Sequence, residues 1–138
     1  MQRRAGLYIY WLPPILWAVM IFAASTGAMS ADNTGVLLHA ILPSSVAPWL
    51  FETIHFAVRK AAHLTEYAIF GILLFRAIRG DRTGWSWRWA LAAIILAALY
   101  AMTDEWHQSF VPSRTASALD VLIDATGATL GQVLFFRL

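Results

Sequence analysis

Arg59-Lys60-Ala61-Ala62-His63-Leu64-Thr65-Glu66-Tyr67 opens an apolar stretch that runs on through Ala68-Ile69-Phe70-Gly71 into Ile72-Leu73-Leu74-Phe75. At about 100° per residue, Arg59, His63 and Glu66 fall on one narrow stripe of a helix. Ionisable groups inside a spanning helix cost several kcal/mol when they face lipid, so the stripe must face protein or water. Two readings follow for it. One is an Arg59 to Glu66 ion network that only holds helices together, and the other is a working site.

Working outward, residues 7–25, 88–107 and 118–136 are stretches of the same kind, and with 56–78 each approaches the ~20 residues that cross a bilayer. The composition agrees, since 138 residues that are 59% hydrophobic, 13% charged and include seven tryptophans exceed ordinary soluble usage. The pattern predicts an all-α integral membrane protein, a four-helix bundle forming one domain over residues 1–138. The 7–25 stretch contains Pro13-Pro14 and lacks a convincing small-x-small cleavage site, so it is read as a retained helix. There is no cysteine, which excludes disulfides, haem thiolates and thiol nucleophiles.

Basic residues orient the chain, because Lys and Arg collect on the cytoplasmic side of short loops. Arg3, Arg4, Arg76, Arg79, Arg82, Arg88 and Arg137 fall on one side and Arg59, Lys60 and Arg114 on the other. Both termini are therefore expected in the cytoplasm, with the tryptophans at 85, 87 and 89 in the inner interfacial belt. The connections near 26–55 and 108–117 then face outward. The first of these carries Pro43, Pro48 and two apolar patches, and reads as a segment lying partly on the membrane surface, either linker or lid.

The ionisable ends of the helices meet on that outward side. Asp104-Glu105 and Gln108 close the third stretch, and the turn beyond supplies Arg114, which grips carboxylate or phosphate in a planar fork. Asp120, Asp124, Gly127 and Gly131 share one side of the fourth helix, where the Gly-x-x-x-Gly surface permits close packing within the chain or between copies. The expected polar pocket thus gathers Arg59, Lys60, His63, Glu66, Asp104, Glu105, Gln108, Arg114, Asp120 and Asp124. Such a set suits binding of a phosphorylated lipid head group, general acid and base chemistry, or a divalent metal. His63-x-x-Glu66 matches half of a bundle-core metal arrangement, but the second such pair is absent, so no metal or other cofactor is assigned.

Arg59-Lys60-x-x-His63-x-x-Glu66-Tyr67-x-x-x-Gly71, then Asp104-Glu105-x-x-Gln108-x-Phe110-x-Pro112-x-Arg114, then Asp120-Val121-Leu122 with Gly127-x-x-x-Gly131, resembles the VanZ-like family. The resemblance covers roughly residues 59–131. It departs at Asp124, where the family often has asparagine, and at Ser113, where glycine is common; the first change adds a charge to the site. The resemblance implies a small multi-pass protein of the bacterial cytoplasmic membrane, in a family whose namesake is associated with low-level resistance to the lipoglycopeptide teicoplanin.

The combined expectation is an outward site that binds or modifies an envelope lipid or lipid-linked cell-wall precursor. Arg59, Lys60 and Arg114 would hold an anionic group, and His63, Glu66 and Asp104 are the candidate proton-transfer residues, because partial burial shifts proton affinities. Glu105, Gln108, Asp120 and Asp124 complete the ligand-binding set. A non-enzymatic binder that shields an envelope target, or alters how a lipoglycopeptide approaches, is the second reading. A small proton-coupled transporter is the third, though four short helices leave little room for alternating access. Membrane lipid is the expected partner, with a second copy admissible through the Gly127/Gly131 face. The basic residues border the membrane, so nucleic acid is not an expected partner.

Overall fold

A computed structural model describes residues 2–25, 31–110 and 117–136, with side chains described for 8–25, 33–110 and 117–136. These residues fold into helices α1 (Gln2–Ala23), α2 (Ala31–Ile41), α3 (Pro48–Arg79), α4 (Trp87–Gln108) and α5 (Ala118–Phe136). Among the described residues, α3, α4 and α5 are long and apolar enough to cross a membrane, and α1 contributes the shorter apolar run Tyr8–Ala23. The outer surface fits that reading. Leu12, Ile15, Leu16, Val19, Leu99, Met102, Leu122 and Leu134 are all exposed, an apolar exterior that water would not tolerate over so large an area.

α3 is the organising helix. Its 32 residues reach about 48 Å at 1.5 Å per residue, beyond the ~30 Å of a hydrocarbon core. It begins at Pro48, whose fixed φ and missing N–H suit a first helical turn, so part of the expected connection at 26–55 is helical. The same connection also contains α2, held against the overhanging end of α3 by the His39 ring stacked on Phe51 at 4.0 Å. At its other end α3 stops at Gly80, which takes a φ of 57° that side chains disfavour and returns its N–H to the Arg76 carbonyl.

Contacts fix the helix directions. Lys60 meets Asp120, His63 meets Asp124 and Gln132 meets Gly71, so α3 and α5 run parallel. Glu105 at the end of α4 meets Ser117 just before α5, and Trp85 before α4 meets Phe136 at the end of α5, so those two are antiparallel. The Trp17 indole donates to the Glu66 carbonyl at 3.0 Å and the Tyr10 hydroxyl to Asp81 at 2.8 Å, which sets α1 antiparallel to α3. Successive long helices therefore alternate. Arg76, Arg79, Arg82 and Arg88 gather at one end, and the polar ends of α1, α3, α4 and α5 gather at the other, beside α2.

Small residues bring the helices close. Ala90, Ala93, Ala97 and Ala101 bury one face of α4 at helical spacing, against Tyr67, Phe70, Leu74 and Phe75 of α3 and α5's Ala128 in a common core. The closest approach is between α3 and α5, where added methyls at Gly127 and Gly131 would each stand 3.1 Å from a backbone carbonyl carbon, of Leu64 and Ala68 respectively. The sequence offered this glycine face either to the chain itself or to a second copy. It lies against α3 of the same chain.

Candidate functional site

A cavity of about 270 Å³ opens at the polar end, bounded by the last turn of α1, by α2, by α3 and by the end of α4. Arg59, His63 and Glu66 line it from α3, since positions i, i+4 and i+7 project on one side of a helix. Asp104 and Gln108 line it from α4 for the same reason, one turn apart. Ser25, two residues past the end of α1, closes it from that side, and Asn33, Thr34 and Leu37 of α2 lie over it.

The wall facing α1 is a connected polar network. Ser25 donates from Oγ to Asp104 Oδ2 at 2.9 Å, and Gln108 Nε2 donates to the same oxygen at 2.9 Å. Gln108 Nε2 also lies 3.4 Å from Ser25 Oγ. Asp104 is 4% exposed, yet its Oδ1 has no hydrogen-bond partner among the described residues. Buried carboxylate oxygens are normally satisfied, so this atom is suited to meet water or a ligand group. Arg59 is half-buried and makes no hydrogen bond or ion pair with another described residue.

Behind α3 the remaining acids serve a different arrangement. His63 Nδ1 lies 3.1 Å from Asp124 Oδ1, and Asp124 is fully buried. That bond fixes the orientation of the imidazole of a residue that also lines the cavity. Lys60 pairs with Asp120 across the α3 to α5 contact. Glu105 accepts from the Ser117 backbone N–H at 2.7 Å, tying the end of α4 to the start of α5. The structure therefore brings Arg59, His63, Glu66, Asp104 and Gln108 to the cavity, and places Lys60, Glu105, Asp120 and Asp124 beside it, between helices. Arg114, with Pro112 and Ser113, lies outside the described residues. Among the described residues no group of three or more His, Cys, Asp or Glu side chains is placed to hold a metal ion.

Sequence reasoning did not single out Ser25, Asn33, Thr34 or Tyr67 as site residues. Ser25 carried one signal, a hydroxyl at the polar end of an apolar run. α2 carried none, because its approach to the cavity depends on the turn between α2 and α3. Tyr67 is fully buried with its hydroxyl unpartnered among the described residues, one position past Glu66.

The arrangement offers a fixed cation, an imidazole held by a carboxylate, and two further carboxylates around one opening. It can hold an anionic group and exchange protons with it. A family model described as VanZ/LLP1 matches residues 10–138. No curated protein and no solved structure matches the chain.

Proposed function

Because the chain belongs to the VanZ-like family, we propose that its polar cavity binds or modifies an envelope lipid or lipid-linked cell-wall precursor, and that this activity contributes to lipoglycopeptide resistance. The observation that carries the reading is the convergence of Arg59, His63, Glu66, Asp104 and Gln108 on one cavity at the end of apolar helices. Nothing about packing alone requires a guanidinium, an imidazole and two acids to line an opening, and because such groups are costly within a membrane, their convergence there marks a functional site.

In this reading α1, α3, α4 and α5 form a four-helix bundle in the cytoplasmic membrane with both termini inside. The arginines at 76, 79, 82 and 88 border the cytoplasm, which turns the cavity outward. Arg59, joined by Arg114, holds the anionic group of the ligand. His63, oriented by Asp124, exchanges a proton with the bound group, while Glu66 and Asp104 are the acids within reach of the same opening. Lys60 with Asp120, and Glu105 with Ser117, hold the helices that carry these residues.

Mass spectrometry of membrane lipids and lipid-linked wall precursors tests this in cells expressing the native chain, Glu66→Gln at matched level, or vector. A species altered only by the native chain is expected. If none appears while the native chain is folded in the membrane and protects against a lipoglycopeptide, the modifying reading fails and the shielding one replaces it. Conservative variants separate the two independently. Glu66→Asp and Arg59→Lys should abolish acid and base or two-point chemistry, whereas a charge-based shield tolerates both.

A further inference from the structure

Val58, Ala62 and Glu66 line both the polar cavity and a second depression, an open trench of about 490 Å³ between α1 and α3. Trp17 and Met20 of α1 form one wall, and Ala61, Thr65 and Ile69 of α3 form the other. The trench exists because α3 presents small side chains at 61, 62 and 65 where α1 presents large ones. From Val58 to Ile69 it follows roughly 16 Å of helix.

Away from the Glu66 carboxylate at the cavity end, the polar side-chain groups of the trench are bonded within the protein. The Thr65 hydroxyl donates to its own helix at the Ala61 carbonyl, 2.8 Å away, so its methyl is left for the trench. The Trp17 indole N–H is committed to the Glu66 carbonyl. Beyond Glu66, a water column or an extended peptide would find no side-chain partner among Met20, Val58, Ala61, Ala62 and Ile69, whereas a hydrocarbon chain needs none. Small-residue surfaces also receive helices of other copies. That occupant would leave unexplained why the trench shares a wall with a polar cavity in which Arg59 makes no hydrogen bond or ion pair with another described residue.

We propose that the trench between α1 and α3 seats the hydrocarbon chain of an anionic membrane lipid whose phosphate-bearing head lies in the polar cavity, so that the ligand enters sideways from the bilayer. The proposal rests on the cavity reading above and adds the ligand's shape: a head and a chain joined at the level of Glu66. The phosphate meets Arg59 in a charge-assisted contact. The chain replaces bulk lipid against Met20, Ala61 and Thr65.

Native mass spectrometry of the full chain, released from micelles containing dioleoyl phosphatidylglycerol, tests the proposal, with glycerophosphoglycerol as a head-only probe. The native chain should retain the lipid at least tenfold more tightly than the head-only probe. Ala61→Phe, which fills the trench, should lower lipid affinity about tenfold and leave the head-only probe unchanged. Thr65→Met fills the same trench one turn further along and serves if the first variant misfolds. Leu122→Phe, on the exposed face of α5, should bind lipid like the native chain. Full lipid retention in both trench variants overturns the proposal, as does a native dimer that both variants convert to monomer. Equal affinity for lipid and head-only probe overturns the trench alone and spares the cavity. A folded native chain that binds neither probe sinks the cavity reading and this proposal together.

Discussion

Replacing Gly127 with alanine should damage both the packing and the cavity, and the structure says by how much. The added methyl would stand 3.1 Å from the Leu64 carbonyl carbon and 3.2 Å from its Cα, and it would run into the Leu64 carbonyl oxygen. Relaxed carbon contacts lie at roughly 3.5–4.0 Å, so α5 must retreat by about 0.5 Å or more. Backbone atoms cannot swing aside, and overpacking of this kind costs about 1–3 kcal/mol. Asp124 sits one turn before Gly127, and its 3.1 Å contact with His63 would lengthen to the edge of hydrogen bonding. Losing that bond adds about 1 kcal/mol or more, because both partners are buried. The expected total is roughly 2–4 kcal/mol, read as the change in unfolding free energy during denaturant titration in mixed micelles.

Gly35→Ala is the matched control. Among the described residues its methyl would meet only the His55 ring, at 4.0 Å, and alanine is favoured over glycine within a helix by about 0.5–1 kcal/mol. Gly35→Ala should therefore be neutral or stabilising. The reasoning is refuted if Gly127→Ala proves no more destabilising than Gly35→Ala.

Ser25→Ala should cost about 1–3 kcal/mol, since it removes one of two hydrogen bonds to a buried carboxylate oxygen of Asp104; thermal unfolding in detergent measures it, and no loss would mean that the network is not formed. A double-mutant cycle of His63→Gln and Asp124→Asn should return a coupling of about 0.5–3 kcal/mol, and additivity would remove the argument that Asp124 orients the imidazole. Trp17→Phe keeps the ring but loses the bond to the Glu66 carbonyl, so about 1 kcal/mol is expected, with faster hydrogen exchange around residue 66. Gly80→Val should weaken the chain by about 1–2 kcal/mol, because its φ of 57° is strained for a branched side chain; stability equal to the native chain would place the strain elsewhere.

Much of this protein is legible in its sequence. The apolar runs located the long helices, because a spanning segment must satisfy its own backbone and present carbon to lipid. The stripe of Arg59, His63 and Glu66 followed from helical periodicity and lines one cavity. Asp104 and Gln108 followed from i, i+4 spacing in the same way. The boundaries of α3 did not follow, since an overhang held by α2 leaves no periodic signal of its own.

The local chemistry of each helix was thus determined by the sequence: which residues are ionisable, which face carries them, and which end of the apolar run they occupy. Partnership was decided by tertiary structure. Lys60 is one residue from Arg59, yet it turns to Asp120 between helices while Arg59 borders the cavity. Asp104 and Glu105 are adjacent, yet one joins Ser25 and the other meets the backbone of Ser117. Neighbours in sequence point about 100° apart on a helix, so packing alone sets which of them meets a ligand and which meets another helix. The trench depends on two helices from distant parts of the chain lying side by side, large residues against small ones, a relation that exists only once they have packed.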